Sequence, residues 1–327
     1  MEVEKISRLV EIAELYYLQD FNQQEIAKKF AISRPTVSRL LLQAKQEGIV
    51  EIKIVNPTDF VQQLALTLKE KFKLKQCIVA PVPKFEDNLI KENIGIVAAE
   101  YVNGLVKNGD TIGITWGTTI FELVKKIQPK NVKDVTVVQL NGGVSYSESN
   151  TYASEIINRL ASAFNTIPHF LQVPAVVDHL VVKNAIVADR HIKSVLELGK
   201  AANIAIYTVG DPGEQSTLMK AGYFLEGDIE TLKTNKAVGD ICSRYFDGDG
   251  NICNFSLNDR TIGIDLHHLA QKEYGILVAG GRNKIDGIYG ALKGHYANVL
   301  ITDQYSAKAL LEMVGGEDEW INQKLEQ

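Results

Sequence analysis

Cysteine is scarce in this sequence: Cys77, Cys242 and Cys253 are widely separated and odd in number. That usage argues against a disulfide-stapled scaffold, fits a reducing compartment and matches no zinc spacing. Positive charge is not in excess either. The chain sets 35 Lys+Arg against 40 Asp+Glu, a formal charge of -5. This excludes a uniformly basic nucleic-acid coat but leaves room for a local basic face. No apolar run approaches the roughly 20 residues needed to span a bilayer. The opening stretch MEVEKISRLVEIAEL is acidic and amphipathic, without the apolar centre of a signal peptide. Internal repeats, low-complexity tracts and nucleophile–base motifs are also lacking. The expectation is a soluble cytoplasmic protein with no membrane partner, no metal and no cofactor.

What the chain does have is 45% apolar content over 327 residues, enough for about two domains at ~150 residues each. The first is written in the opening 57 residues. Apolar side chains at Ile6, Leu9, Val10, Ile12, Ala13 and Tyr16 recur at helical spacing. A polar break follows, and Asn22 with Glu25 three residues later has the form of a capping box for a short helix, QQEIAKKF. The turn Ala31-Ile32-Ser33 is too short for anything but two helices crossing steeply. Ser33 would cap a third helix, RPTVSRLLLQAKQEG, with Pro35 in its first turn and Gly48 at its end.

This is the pattern of a helix-turn-helix, with Ile26, Ala27, Val37, Leu40 and Leu41 as its core. Arg34, Thr36, Ser38 and Arg39 are left on the outer face of the third helix. Arginine pairs bidentately with guanine, and hydroxyls serve bases or phosphates. Gln24 and Lys28 are placed to hold backbone phosphate. Between Gln23 and Gln46 five basic residues face Glu25 alone, a local net charge of +4 in an acidic chain. A helical hairpin with a solvated basic surface is the plainer reading of the same residues. The stretch EGIVEIKIVNP reads as a short strand pair, and Asn56-Pro57 as a boundary. Residues 58–75 then form a linking helix capped by Thr58 or Asp59. Its Val61, Leu64, Leu68 and Phe72 suit either a second copy of the chain or their own domain.

From residue 76 to 327, short β-branched runs alternate with helical stretches. QCIVAPV, DTIGIT, VTVVQL, ANIAIYTVG, YGILVAG and ANVLITD read as buried strands. The fold class expected is therefore α/β: a helix-turn-helix followed by a doubly wound, mostly parallel sheet. Ligands bind such sheets outside the carboxyl ends of the strands. Three loops there carry suitable chemistry. In WGTT, Gly117, Thr118 and Thr119 offer N–H and O–H donors at a helix start, which suits a phosphate; a plain cap at Thr118 is the alternative. Asn141, Gly142 and Gly143 would let backbone approach a ligand, or simply turn. Gly280 and Gly281 lead to Lys284 in the first turn of a helix, a second anion donor set or a solvated cap.

Asp240 and Asp259 could accept hydroxyl hydrogen bonds, with salt bridging as their ordinary role. The run from Asp247 to Asn251 lacks the EF-hand glycine and terminal carboxylate, and reads as a hairpin turn. His267-His268 has no ligand cluster at metal spacing and reads as surface.

The segments ISRPTVSRLL, WGTT, VVQLNGG, VGDICSRYFD, NDRTIGI and VAGG…K…YGALKG…ANVLITD, in this order, resemble the SorC family of bacterial transcription regulators, and within it the deoxyribonucleoside regulators. The resemblance implies an effector domain of sugar-phosphate isomerase/deaminase type. It also implies homodimers or homotetramers on palindromic double-stranded operator DNA, with a phosphorylated sugar as effector. On it, Gly117, Thr118, Thr119 and Lys284 match the phosphate-holding elements, and Asn141 a specificity position. Deoxyribose 5-phosphate is the leading effector, and repression of a sugar or deoxyribonucleoside catabolic operon the default role. Where other members have lysine or arginine, Asn141 can form neither an imine nor an ion pair with a second phosphate. The alternative is a sugar-phosphate isomerase or deaminase that regulates its own gene. Against it, the loop after Leu140 presents no carboxylate before Glu148 for proton transfer.

Overall fold

A computed structural model describes residues 2–51, 57–144, 151–213 and 216–315. Most of the expected strand pair after Gly48, the caps Thr58 and Asp59, Glu148 and nearly all of the polar tail fall outside the described residues or side chains. The chain divides into two compact units, Met1–Asn56 and Pro57–Gln327.

The first unit holds α1 (Glu2–Tyr17), α2 (Gln23–Lys29) and α3 (Arg34–Gln46). Local chemistry sets each boundary. The Asn22 carboxamide accepts from the N–H groups of Gln24 and Glu25, both at 3.0 Å, and the Glu25 carboxylate accepts from Asn22 N–H at 2.9 Å. Both ends of the capping box are therefore closed, satisfying helix N–H groups that have no carbonyl partner. Ser33 caps α3, accepting from Thr36 N–H. Ile12, Leu15, Ile26, Ala27, Val37 and Leu41 form the small core, with Leu40 only half-covered at its edge.

The second unit runs α4 (Pro57–Lys71), β1 (Gln76–Ala80), α5 (Asp87–Leu105), β2 (Thr111–Ile114), α6 (Thr118–Lys126), β3 (Thr136–Gln139), α7 (Ala153–Ala163) and β4 (Pro168–His169). There follow α8 (Leu180–Ala188), α9 (Arg190–Ala201), β5 (Ile204–Tyr207), α10 (Thr217–Lys220), α11 (Glu226–Thr234), β6 (Gly239–Ile241) and β7 (Arg244–Phe246). The last elements are α12 (Phe255–Arg260), α13 (Leu266–Ala270), β8 (Tyr274–Val278), α14 (Ile285–Lys293), β9 (Val299–Asp303) and α15 (Gln304–Gly315).

Seven strands form one sheet in the order β1-β9-β8-β5-β2-β3-β4, and every pairing is parallel. All six strands read from the sequence belong to it, so the doubly wound sheet is present as expected. Side chains alternate between its faces with period two. Ile204 and Ile206 join the core under α5, α6 and α7, while Ala205 and Tyr207 join the core under α4, α14 and α15. In α4, Val61, Leu64 and Leu68 are buried in that second core and Phe72 packs edge-on against Tyr289. The linking helix thus covers its own domain, which settles the alternative left open by its sequence. The β6–β7 hairpin and the short β4 are additions the sequence reading lacked.

Winding direction decides where a ligand can enter. From β2 the chain moves outward through β3 and β4, whereas from β5 it moves the opposite way through β8 and β9. The crevice at such a switch point lies outside the carboxyl ends of the two central strands, here β2 and β5.

Helices α5 and α6 approach each other closely at Gly95. A Cβ on Gly95 would lie 2.8 Å from the backbone carbonyl carbon of Glu122, whereas one on Gly104, in the same helix, would meet nothing within 4 Å. Gly95→Ala should therefore destabilise the domain by about 1–3 kcal/mol through overpacking. Gly104→Ala should be neutral or stabilising by up to ~1 kcal/mol through helix propensity. Urea unfolding of both variants checks this pair of opposite signs.

Candidate functional site

Two features carry chemistry, one in each unit. In the first unit Arg34, Ser38 and Arg39 stand exposed on α3, and Gln24 and Lys28 are exposed on α2. Neither Arg34 nor Arg39 has an ion-pair partner among the described residues, so both guanidinium forks are open. Thr36 departs from expectation. It is half-buried, and its hydroxyl lies 2.8 Å from Ser33 Oγ, so it completes the helix cap instead of standing free on the outer face.

In the second unit a cavity of about 260 Å³ opens at the switch point. Thr115, Trp116, Gly117 and Thr118 line it from the end of β2, and Thr208, Val209, Gly210 and Asp211 from the end of β5. Asn141 comes from the end of β3, Lys284 from the turn before α14, Lys91 from α5 and Asp240 from β6. Gly117, at φ 139°, is the N-cap of α6 and no side chain caps the helix. The alternative of a plain cap at Thr118 does not hold: Thr118 sits inside the first turn. The helix start thus offers backbone N–H groups and the positive end of its dipole to the cavity.

The polar groups here are underused. Asn141 Oδ1, Thr115 Oγ1 and Ser243 Oγ are buried without a hydrogen-bond partner, and all three residues line the cavity, as does Tyr245 with its hydroxyl beside Ser216. Leaving such atoms unpaired costs about 1–3 kcal/mol each. Ser243 follows Cys242 in a two-residue turn between β6 and β7, and both have left-handed φ, 65° and 56°. Left-handed residues suit such a hairpin turn, but non-glycine side chains take them up at a cost.

Charge in the cavity is arranged around Lys284. Its ammonium reaches only Thr119 Oγ1 at 3.3 Å and Thr208 Oγ1 at 3.4 Å. Burial lowers its pKa to about 8, helped by the like charge of Lys91 and opposed by Asp87, Asp240 and Asp211. Lys91, in turn, is held by Asp87 at 2.5 Å. Burial raises the Asp240 carboxyl to about 6, against the Ser243 N–H that it accepts and the field of Lys284. The cavity thus brings two cations and a helix start together with hydroxyls and a carboxamide, chemistry that suits an anion attached to a polyol.

The other expected site residues take different places. Thr119 is buried and serves by holding Lys284. Gly142 is turned away from the cavity: its N–H donates to Ile262 and its carbonyl accepts from Trp116 Nε1 at 2.9 Å, locking two loops together. Gly143 pairs with Pro174 and borders a separate hollow. Gly280 and Gly281 do not line the cavity either. Gly281 N–H donates to Ser306 Oγ at 2.9 Å and Asp303 Oδ2 at 3.1 Å, and a side chain on Gly280 would collide with that carboxylate. Both glycines thus serve packing on Asp303, and the Gly281 N–H is already taken by its carboxylate and by Ser306. Asp259 is exposed on α12 and does not line the cavity. Its neighbour Arg260 is buried on Asp228 at 2.6 Å. His267 and His268 do have a carboxylate beside them: with Asp265 their ligand atoms lie within 4.8 Å of one another. Arg244 already donates to Asp265 at 2.6 Å, so a cation there would compete with a buried guanidinium.

Sequence reasoning missed Lys91, Thr208, Asp211, Ser243 and Tyr245. Lys91 has the look of a solvated helix lysine; Thr208 and Asp211 follow β5, and Ser243 and Tyr245 belong to a short hairpin that the β-branched pattern does not announce.

Comparison with known proteins gives this geometry its context. The family model for a sugar-binding domain matches residues 57–312. The deoxyribonucleoside regulator of Bacillus subtilis is 47% identical over 313 residues, covering 95% of this chain and 99% of the relative. The sorbitol operon regulator of Klebsiella pneumoniae is 32% identical over 94% of this chain and 98% of its own. The crystal structure of full-length SorC from K. pneumoniae superposes with a TM-score of 0.71 at 30% identity, covering 94% of this chain and 98% of that one. These relatives are transcription regulators, not enzymes. No described helix is long and apolar enough to cross a membrane. The chain belongs to the SorC family of transcription regulators, with a sugar-binding domain over residues 57–312.

Proposed function

We propose that this protein binds operator DNA through α3 and senses a phosphorylated sugar in the cavity at the β2–β5 switch point. The observation that carries the reading is the pairing of Lys91, Lys284 and the uncapped start of α6 with unpartnered Thr115, Asn141 and Ser243. A phosphate takes the cationic wall, and sugar hydroxyls answer the unpaired oxygens. In this reading residues 1–57 are the DNA-binding domain, 58–75 link, and 76–327 bind the effector and oligomerise.

Arg34, Ser38 and Arg39 read bases while Gln24 and Lys28 hold phosphates. Thr36 contributes by fixing the start of the reading helix. The assembly is a homodimer or homotetramer acting in the cytoplasm as a repressor of a sugar or deoxyribonucleoside catabolic operon. Effector binding favours one quaternary arrangement and so shifts DNA affinity by linkage. Deoxyribose 5-phosphate is the first candidate, being the phosphorylated form of the sugar in a deoxyribonucleoside, the class that the B. subtilis relative's name gives. Asn141 binds it or a related sugar phosphate through hydrogen bonds alone, since a carboxamide forms no imine.

Single substitutions separate the two halves. Lys284→Ala should weaken the effector's action on operator binding about 10- to 100-fold while leaving that binding intact, the usual cost of one charge-assisted contact. Arg39→Ala should do the reverse, weakening operator affinity by about 1–3 kcal/mol. Fluorescence anisotropy with labelled operator, titrated with sugar phosphate, reads both.

The pH dependence has a defined sign. Lys284 must be protonated to hold phosphate, and in the free site its pKa is lowered to about 8. A bound phosphate stabilises the ammonium, so binding takes up a proton above that value. Affinity for a sugar phosphate should hold near pH 7–7.5 and fall by up to about tenfold per pH unit above pH 8. Calorimetric titrations between pH 7 and 9.5 check this, and a flat profile would count against Lys284 as the phosphate ligand.

A further inference from the structure

Helix α13 is preceded by an aspartate that does not cap it. Asp265 stands at the N-cap, where an aspartate ordinarily accepts from the first helix N–H groups, yet its side chain makes no such bond. The carboxylate turns instead toward Arg244, which donates to Oδ1 at 2.6 Å, and toward His268, whose Nδ1 lies 3.9 Å from Oδ2. The second distance is too long for a hydrogen bond. His267 completes the group. Its ring centroid is 3.8 Å from that of His268, and one ligand atom from each of Asp265, His267 and His268 lies within 4.8 Å of the other two.

The unmet chemistry is on His268. Its Nδ1 is buried and has no hydrogen-bond partner, an exception among buried polar atoms. Burial, and after it the neighbouring His267, lowers the His268 pKa below the ordinary histidine value, so the ring is neutral near pH 7 and keeps a lone pair. The nearby cations are engaged elsewhere: Lys200 is held by Glu197 at 2.9 Å, and Lys272 donates to the Gly199 carbonyl at 3.0 Å.

Two imidazole nitrogens and one carboxylate oxygen are the donor set of a borderline transition metal such as zinc; calcium and magnesium take oxygen ligands. Zinc bonds of about 2.0–2.2 Å in a tetrahedron set ligand atoms about 3.3–3.6 Å apart, so this trio closes on an ion by side-chain shifts of about 1 Å. Competition with Arg244 is confined to one oxygen. The guanidinium takes Oδ1 and leaves Oδ2, and a hydrogen bond to a ligating carboxylate is the ordinary way such a ligand is oriented. Arg244 also donates to the Ile264 carbonyl at 2.8 Å and to Asn258 at 2.9 and 2.6 Å, so it keeps acceptors if the carboxylate moves toward the ion. Three protein ligands, with His267 exposed, leave the remaining position to water and make an exchangeable site.

We propose that Asp265, His267 and His268 form a binding site for a divalent transition-metal ion of the zinc class. None of the three lines the effector cavity, and the inference does not depend on the regulator reading.

The test is titration of the full chain with zinc against a chromogenic chelator, with magnesium in excess throughout. His267→Ala and His268→Gln are compared with the native protein, and circular dichroism with a melting curve verifies their fold; His267 is exposed, so its variant keeps the test open if His268→Gln unfolds. His179→Gln is the control, at a position whose side chain makes no cap hydrogen bond. The expected result is a single zinc ion bound by the native chain and the control, with affinity lowered at least about 10-fold in each α13 variant. A native chain that takes up no zinc in the presence of magnesium, or a folded α13 variant with native affinity, would overturn the proposal.

Discussion

Between β2 and β5 the sheet reverses its direction of winding, and the rest of the site follows from that one constraint. Helices cover a parallel sheet by crossing from one strand to the next, so none is available to close the gap where two crossovers diverge. The ends of β2 and β5 therefore emerge into a crevice. The β2 loop delivers Gly117 and the start of α6, and the β5 loop delivers Thr208 and Asp211. The turn after β8 adds Lys284, and the β6–β7 hairpin brings Asp240 and Ser243 across the opening. A cavity placed by topology is then specialised by what each loop happens to carry.

What they carry is electrostatically unfinished. Lys284 is half-buried with two long hydroxyl contacts, Lys91 repels it, and buried oxygens of Thr115, Asn141 and Ser243 find no partner. Folding alone would favour pairing or removing each of these groups. Their persistence in one cavity, together with left-handed φ at Cys242 and Ser243, is a stability cost that a ligand can return. A bound phosphate would relieve the repulsion between the lysines, and sugar hydroxyls would satisfy the oxygens. Binding energy is largest where the empty site is least satisfied, which also makes the site a lever on whatever Arg244 connects to it.

Much of this was legible in sequence where chemistry is local. Asn22 with Glu25 and Ser33 with Pro35 announce helix starts because a cap is decided within four residues. The six long strands are β-branched runs, so parallel α/β architecture could be read directly, and WGTT marked the helix start that lines the cavity. Legibility failed where distant residues decide. Gly280 and Gly281 have the look of an anion loop, yet their spacing answers the carboxylate of Asp303, some twenty residues on. Lys91 is paired with Asp87 like any surface helix lysine, and only the fold turns it toward Lys284. The β6–β7 turn contains no glycine to announce it.

The central claim is that the cavity recognises a phosphate joined to a sugar. The most direct measurement is a thermal-shift series with phosphorylated sugars, deoxyribose 5-phosphate included, each beside its unphosphorylated form. A ligand at a hundredfold its dissociation constant stabilises by about 2.7 kcal/mol, a shift of several degrees. The account predicts that at least one sugar phosphate raises the melting temperature while its free sugar does not. Stabilisation by free sugars alone, or equally by both forms, would contradict it.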